Sequence, residues 1–389
     1  MRKEYKLQQQ LYTLAFMDLS VKNILDSSAL FRRPEWLDTF FLLFFFACIG
    51  WKMLLQRYTL KSLAITGMFG VLFAYVSFKM SYFFLLFTFC GIAGCQNIDL
   101  KKTLRYTSMT KIFMLLIHVI PYIVTALITP DQINFFYRNG VRRQAFYIGH
   151  PNTFSMYVGW AALELIYAYY TSLKKKHLVL IWCIIYAVYQ FTDSNTSIMV
   201  GTLCIALFLL ERSYPEKMAR VLTPLARYSF AFFSIFFTVI TVWFTRMPAA
   251  LKTLYMQLNN FFTGRLIFGS YTYEKFGIAW LGNKSVHLSE TTYFEGVWVD
   301  SLVFDNAYIY LLVYYGAVFL PVFSIAFILI GADKEHNPAR NVDKILILAY
   351  AMFAIMENYI INAVLCFPAL FIGKYLFELY DKKKAEEIT

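Results

Sequence analysis

The chain has 389 residues and a formal net charge of +12, yet only 15% of its residues are Asp, Glu, Lys or Arg, against roughly 25% in a typical soluble domain. Apolar residues make up 59% and aromatics alone 20%. A water-soluble globule of this size cannot hide that much apolar surface. The composition therefore excludes a disordered chain, a disulfide-stapled secreted domain and an ordinary cytosolic enzyme. It points to an all-α, polytopic transmembrane helical bundle.

Residues 1–36 carry Arg2, Lys3, Lys6, Asp18, Lys22, Asp26, Arg32 and Arg33. No small-residue cleavage site follows a clean apolar core, so no cleavable signal peptide is expected. Runs of about 17–25 apolar residues are long enough to cross a bilayer as helices. Eleven such runs lie near 37–55, 62–78, 80–97, 112–128, 153–172, 177–192, 196–211, 229–246, 306–330, 344–357 and 360–378. The last two form one continuous apolar stretch, which is split at Glu357, Asn358 and Asn362. The six cysteines fall inside these runs without a paired CxxC, which reads as small buried hydrophobes.

Positive charge gathers in cytoplasmic loops. Here Lys and Arg concentrate in alternate connections: Lys52, Arg57 and Lys61; Lys101, Lys102, Arg105 and Lys111; Lys174, Lys175 and Lys176; Arg212, Lys217, Arg220 and Arg227; Lys334, Arg340 and Lys344; and the tail from Lys374 to Lys384. The basicity is thus an orientation signal, and no nucleic-acid partner is expected. With the C-terminus inside, eleven crossings leave residue 36 outside, while Arg2, Lys3 and Lys6 prefer the cytoplasm. A twelfth crossing over residues 8–30 reconciles the two. Its Asp18, Lys22 and Asp26 need a bundle interior; an interfacial amphipathic helix is the alternative.

This topology divides the chain into three parts: an N-terminal transmembrane bundle over 1–246, an extracytoplasmic segment over 247–305, and C-terminal transmembrane helices with a basic tail over 306–389. In the middle part Leu251, Leu254, Tyr255, Leu258, Phe261 and Phe262 recur at helical spacing. That predicts an amphipathic helix on the membrane surface, followed by a second short helix over about 264–279. Tyr271, Tyr273, Trp280, Tyr293 and Trp298 belong to an interfacial aromatic belt or stack on sugar rings.

The outer side collects few polar groups, but of convergent types. Arg142, Arg143, His150 and Asn152 precede the span at 153. Asp193, Ser194 and Asn195 form a tight turn between two spans. Arg246 and Arg265 flank the amphipathic helix, Asp305 and Asn306 lead into the span at 306, and Glu357 and Asn358 break the last run. Each has a structural reading as an interfacial anchor or a helix cap. Their convergence on one face of a charge-poor chain favours function. The guanidinium fork matches phosphate oxygens bidentately and stays charged, so a lipid diphosphate at the membrane surface suits them.

Four motifs carry a family resemblance. Arg143-x6-His150-Pro151-Asn152-Thr153-Phe154, opening a span, resembles the "R…GF-x-HPN" motif of bacterial oligosaccharide repeat-unit polymerases. These serve capsule and exopolysaccharide synthesis in Gram-positive bacteria and are related in fold to O-antigen ligases. Phe191-Thr192-Asp193-Ser194-Asn195-Thr196-Ser197 is similar to the family's "(Y/F)TxSRTS" turn. Thr263-Gly264-Arg265-Leu266 is similar to "SGRL", and Asp305-Asn306-x-Tyr308 with Tyr315-Gly316 to "DNxYL…YG". Order and spacing agree over about 140–370. Two departures stand out: Asn195 replaces the usual Arg of the turn, and Ile148-Gly149 replaces Gly-Phe before the His.

The resemblance implies a GT-C-like fold in the bacterial plasma membrane and a glycosyltransferase working on its outer face without metal or cofactor. Its donor would be an oligosaccharide on undecaprenyl diphosphate, its acceptor a sugar hydroxyl on a second lipid-linked unit. A flippase and a chain-length regulator of the same pathway are the implied partners. The sequence fits: it has no nucleotide-binding Gly-rich loop and no Asp, Glu or His cluster at metal-ligand spacing. Arg143 and Arg265 are expected to bind the diphosphate and stabilise its departure. Arg142, Asn152, Asp193, Asn195 and Asn306 are expected to line the substrate site. His150 or Asp305, with His287 a third candidate, is expected to orient or deprotonate the acceptor. Two competing functions are a ligase that passes finished glycan to another acceptor, and a flippase or transporter of lipid-linked oligosaccharide.

Overall fold

The computed structural model describes residues 2–138, 140–286, 292–294, 297–299, 305–331 and 336–377. His287 and the charged tail beyond 377 lie outside the described residues. In chain order the first helices are α1 (Arg2–Asp26), α2 (Glu35–Leu54), α3 (Leu60–Met80), α4 (Phe84–Ala93) and α5 (Leu100–Ile128). An antiparallel hairpin, β1 (Phe136–Arg138) and β2 (Val141–Arg143), comes next. It leads into α6 (Pro151–Tyr169), α7 (Lys175–Thr192), α8 (Asn195–Ser213), α9 (Pro215–Trp243), α10 (Ala249–Phe261) and α11 (Arg265–Phe276). A second hairpin, β3 (Thr292–Phe294) and β4 (Val297–Val299), precedes α12 (Ala307–Tyr310), α13 (Phe319–Ile330) and α14 (Asn341–Met356).

The fold is therefore helical, with two short hairpins that the sequence reading did not foresee. Among the described residues, five helical stretches are long and apolar enough to cross a membrane: Glu35–Leu54, Leu60–Met80, Leu100–Ile128, Asn195–Ser213 and Pro215–Arg246. Other expected spans are helical in whole or in part; the run at 360–378, for example, is helical only from Phe367 to Phe377 after a short turn of helix over Asn358–Ile361. The run at 80–97 holds only the short α4, because Ser81 and Asn97 take left-handed backbone at its two ends. The run at 306–330 is broken between α12 and α13. A wide helical turn over Leu311–Tyr315 ends at Gly316, whose φ is 112°. A Cβ there would stand 2.3 Å from the Trp280 carbonyl oxygen, so only glycine fits. Both helices expected in the middle segment appear, as α10 and α11.

By internal packing the chain forms two compact units. The first comprises Met1–Leu60, Cys90–Ser213 and Gly373–Thr389, the second Lys61–Phe89 and Tyr214–Ile372. This division follows packing, whereas the three-part reading followed position relative to the membrane.

In the first unit, α1 packs on α2 and α5, α5 on α6, and α6, α7 and α8 on one another. Residues 8–26 of the expected twelfth crossing thus lie in a packed helix, with Tyr12, Ala15, Phe16, Leu19 and Ile24 buried, but this helix is not among the five stretches long and apolar enough to cross. Asp99 caps α5, its side chain accepting from the Lys102 backbone N–H at 3.2 Å. Between α5 and α6, Lys111 pairs with Glu164, each side chain 1% exposed, and Thr107 donates to the same carboxylate at 3.1 Å. Removing one partner of such a pair strands a buried charge. Lys111→Met is expected to cost about 3–5 kcal/mol, and adding Glu164→Leu to recover most of it, both read by thermal unfolding in detergent.

The second unit is built on an aromatic core. Tyr308 of α12 stacks on Phe237 of α9, centroids 5.8 Å apart, and meets Phe230 at 5.1 Å. Phe230 meets Phe327 of α13 at 5.2 Å, and Phe327 meets Tyr350 of α14 at 5.3 Å. The phenols are satisfied by carbonyls: Tyr308 donates to Ala351 and Tyr350 to Ile360. This core fixes the start of α12, where Asp305 and Asn306 sit.

Candidate functional site

Two polar clusters gather the residues singled out in the sequence, one in each unit. In the first unit, the β1–β2 hairpin pairs Phe136 with Arg143, Tyr137 with Arg142 and Arg138 with Val141. Side chains alternate across a strand, so neighbouring arginines have different fates. Arg143 is 4% exposed. Its Nε donates to the Thr192 carbonyl at 2.7 Å, at the end of α7, and its Nη2 to the Asn152 side-chain oxygen. Arg138, across the hairpin, grips the Asp193 carboxylate and carbonyl with Nη2 and the carboxylate again with Nε. Asp193 holds left-handed backbone, φ 46°, as the residue that ends α7. Asn195 opens α8, half-buried. Arg142 is exposed, its guanidinium stacked over the Phe135 ring 3.4 Å from the centroid.

His150 is the cap of α6, followed by Pro151 at the first helical position. The Asn152 backbone N–H donates to His150 Nδ1 at 3.2 Å. A backbone amide can only donate, so Nδ1 is an acceptor and the neutral ring carries its proton on Nε2. Burial lowers the imidazole pKa, and the charges of Arg143 and Arg138 lower it further. His150 in this state is a neutral ring that presents an N–H donor. The local charge is positive, three guanidiniums against the one Asp193 carboxylate.

In the second unit, Arg265 opens α11 behind Thr263 and Gly264, both with left-handed backbone. Its side chain is 10% exposed and saturated. Nε donates to the Met356 carbonyl at 2.9 Å, and Nη1 to Thr263 Oγ1 and, at 3.4 Å, to the Phe262 carbonyl. Nη2 lies 2.9 Å from Asp305 Oδ2 and 3.8 Å from Glu357 Oε1. Burial pushes the Asp305 carboxyl up to about 6, against the opposing pull of Arg265. Asn306 caps α12 by accepting from the Tyr308 and Ile309 backbone N–H groups, while its side-chain nitrogen is buried with no partner among the described residues. Among the described residues Arg265 faces two carboxylates here, Asp305 and Glu357, the reverse of the first cluster.

Backbone strain marks both places. Phe146 and Tyr147, between β2 and α6, and Asp193 and Thr263 all take positive φ without being glycine. Such residues cost about 1–3 kcal/mol each and collect at functional sites. The first pair is held by Phe146 packed between Tyr122 and Phe154, and by Tyr147 donating to Thr125.

The structure thus joins Arg143, Asn152, His150 and Asp193 in one cluster, and Arg265, Asp305 and Asn306 in another. It adds three participants: Arg138; Glu357, read as a break in the last apolar run; and Thr263. Glu357 was detectable as a carboxylate interrupting an apolar run. The hairpin was detectable as Asn139-Gly140, a two-residue turn signal. Replacing Arg143 by Ala leaves the Thr192 carbonyl and the Asn152 oxygen without their donor. It is expected to lower stability by about 2–4 kcal/mol, with Lys restoring only part, measured by thermal unfolding.

Among the described residues no group of three or more His, Cys, Asp or Glu is placed to hold a metal ion. Comparison with protein-family models, curated proteins and solved structures finds no match to this chain.

Proposed function

We propose that this protein is a membrane glycosyltransferase of the bacterial plasma membrane. It polymerises undecaprenyl-diphosphate-linked oligosaccharide repeat units into capsular or exopolysaccharide on the outer face. One observation supports this reading above the others: residues from separate motifs of the resemblance meet in direct contact. Arg143 holds Asn152 and the end of α7 at the Asp193 turn, and Arg265 pairs with Asp305.

Each cluster, taken by itself, offers a chemistry that the reaction needs. The positive cluster takes the diphosphate. Arg142, exposed with its donors available, faces the phosphate oxygens, and Arg143 and Arg138 keep the Asn152 and Asp193–Asn195 segments in place. His150 donates its Nε2–H to a substrate oxygen. The carboxylate cluster takes the acceptor. Asp305 accepts the proton of the sugar hydroxyl, whose oxygen attacks the anomeric carbon of the donor. The anomeric C–O bond breaks and the lipid diphosphate leaves with the bonding electron pair. Arg265 positions Asp305, and Asn306 orders the chain beside it. The donor carries its own leaving group, so no nucleotide sugar is required. The fold in this reading is GT-C-like, with 247–305 extracytoplasmic and with flippase and chain-length regulator as neighbours.

The test is to incubate purified lipid-linked repeat unit with the protein in liposomes, without nucleotide and with chelator, and to resolve the products on a gel. A ladder of repeat-unit multiples is expected. Transfer of one block to a different acceptor would make the protein a ligase. Movement of the intact unit across the bilayer without a ladder would make it a transporter.

A further inference from the structure

A recess of about 440 Å³ lies in the second unit, at the end of the longest apolar helical stretch. It is lined by Val242, Thr245, Arg246, Tyr273, Glu274 and Ile278. Arg246 is the last residue of Pro215–Arg246, one of the stretches long and apolar enough to cross a membrane. An end of such a helix lies at headgroup depth, where Trp and Tyr concentrate. Trp243 and Ile278, beside the opening, are both exposed.

The chemistry of the recess is zwitterionic. Arg246 is exposed and forms no ion pair with Glu274 or with any other described carboxylate. Glu274 is exposed and accepts a hydrogen bond from Thr245 Oγ1 at 2.8 Å, which holds one carboxylate oxygen and leaves the other open. A cation and an anion that share a recess yet do not neutralise each other suit a ligand with opposite charges a few atoms apart. A phosphodiester followed by a primary ammonium has that pattern. The guanidinium takes the phosphate oxygens in its fork, and the carboxylate accepts N–H donors that a quaternary ammonium lacks.

We propose that this recess binds the headgroup of a zwitterionic aminophospholipid, phosphoethanolamine on a diacylglycerol, with the phosphate on Arg246, the ammonium on Glu274 and the acyl chains leaving the recess past Ile278 into the bilayer. The site belongs to neither polar cluster and stands independently of the polymerase reading. It requires only that Pro215–Arg246 crosses a bilayer.

The full-length protein is equilibrated in mixed micelles containing equal amounts of phosphatidylethanolamine, phosphatidylcholine and phosphatidylglycerol, and retained lipid is counted by native mass spectrometry. Phosphatidylethanolamine is expected to be retained about fivefold over the other two, as one well-placed charge-assisted contact allows. Arg246→Gln removes retention of all three. Glu274→Gln removes the preference over phosphatidylcholine and raises phosphatidylglycerol. Both side chains are exposed, and unchanged melting temperatures show that the variants fold. Equal retention of the three lipids by the unaltered protein, or retention that neither variant changes, overturns the proposal. Displacement of the lipid by an equal concentration of soluble O-phosphoethanolamine overturns the lipid as occupant and leaves a soluble zwitterion in its place.

Discussion

Asp305→Asn is expected to slow chain growth by about 10²- to 10⁴-fold, the range for removing a positioned general base. Geometry carries the expectation first. Asp305 is held against Arg265 at 2.9 Å while its side chain keeps 24% accessibility, so it is both oriented and reachable. Its ionisation then sets the pH profile. Burial raises its pKa to about 6, with Arg265 pulling the other way. A base acts as the carboxylate, so the rate rises with pH through about 6 and levels above it. Were Asp305 the general acid, the rate would fall through the same range. Asp305→Asn retains a side chain of equal size but neither accepts the proton nor titrates, so its residual rate is flat there. Initial rates of ladder formation across pH, for both forms, decide the matter. A normal ladder from the Asn variant removes Asp305 from the mechanism.

Arg265→Ala is expected to abolish polymer and to lower stability by about 3–5 kcal/mol, because it leaves Asp305 and Glu357 without their shared cation. It also frees the Met356 and Phe262 carbonyls and Thr263 from their donor. Two further variants separate these effects. Glu357→Gln in the Arg265→Ala background removes the second carboxylate that faced Arg265 and is expected to restore part of the melting temperature without restoring polymer. Arg265→Lys keeps the charge but, as a single ammonium, cannot serve Met356, Thr263 and Asp305 together. A positioning role has its own readout. Without Arg265 the Asp305 pKa moves further up, so the acid limb of any residual activity shifts to higher pH. Loss of stability alone would leave that limb where it is.

Arg143 and Arg265 share a lesson about reading arginines. Both were expected from sequence to face a diphosphate. Both are nearly buried, and each spends Nε on a main-chain carbonyl, Thr192 for the first and Met356 for the second. The exposed cation of the first cluster is Arg142, one residue away from Arg143 on a strand and so on its opposite face. A hairpin register decides which of the two is scaffold and which is surface.

Much of the molecule was determined by local pattern. Of the eleven apolar runs expected to cross a membrane, five coincide with helical stretches long and apolar enough to do so among the described residues, and helical spacing located α10 and α11 within a few residues. Polar interruptions marked the turn at Asp193–Asn195 and the end of α14 at Glu357. The motifs named Arg143, His150, Asn152, Asp193, Arg265, Asp305 and Asn306 because residue type and order are visible in one dimension.

The partners were decided only by the tertiary structure. That Arg138 neutralises Asp193, that Glu357 joins Arg265, and that Arg143 holds the Thr192 carbonyl depend on contacts across many residues of chain. The reason is physical. Hydrophobic periodicity reports how each residue meets solvent or lipid, which is a local property. A guanidinium or imidazole takes its role from the carbonyls and carboxylates that packing brings to it. A backbone carbonyl has no side-chain signature by which the sequence could announce it.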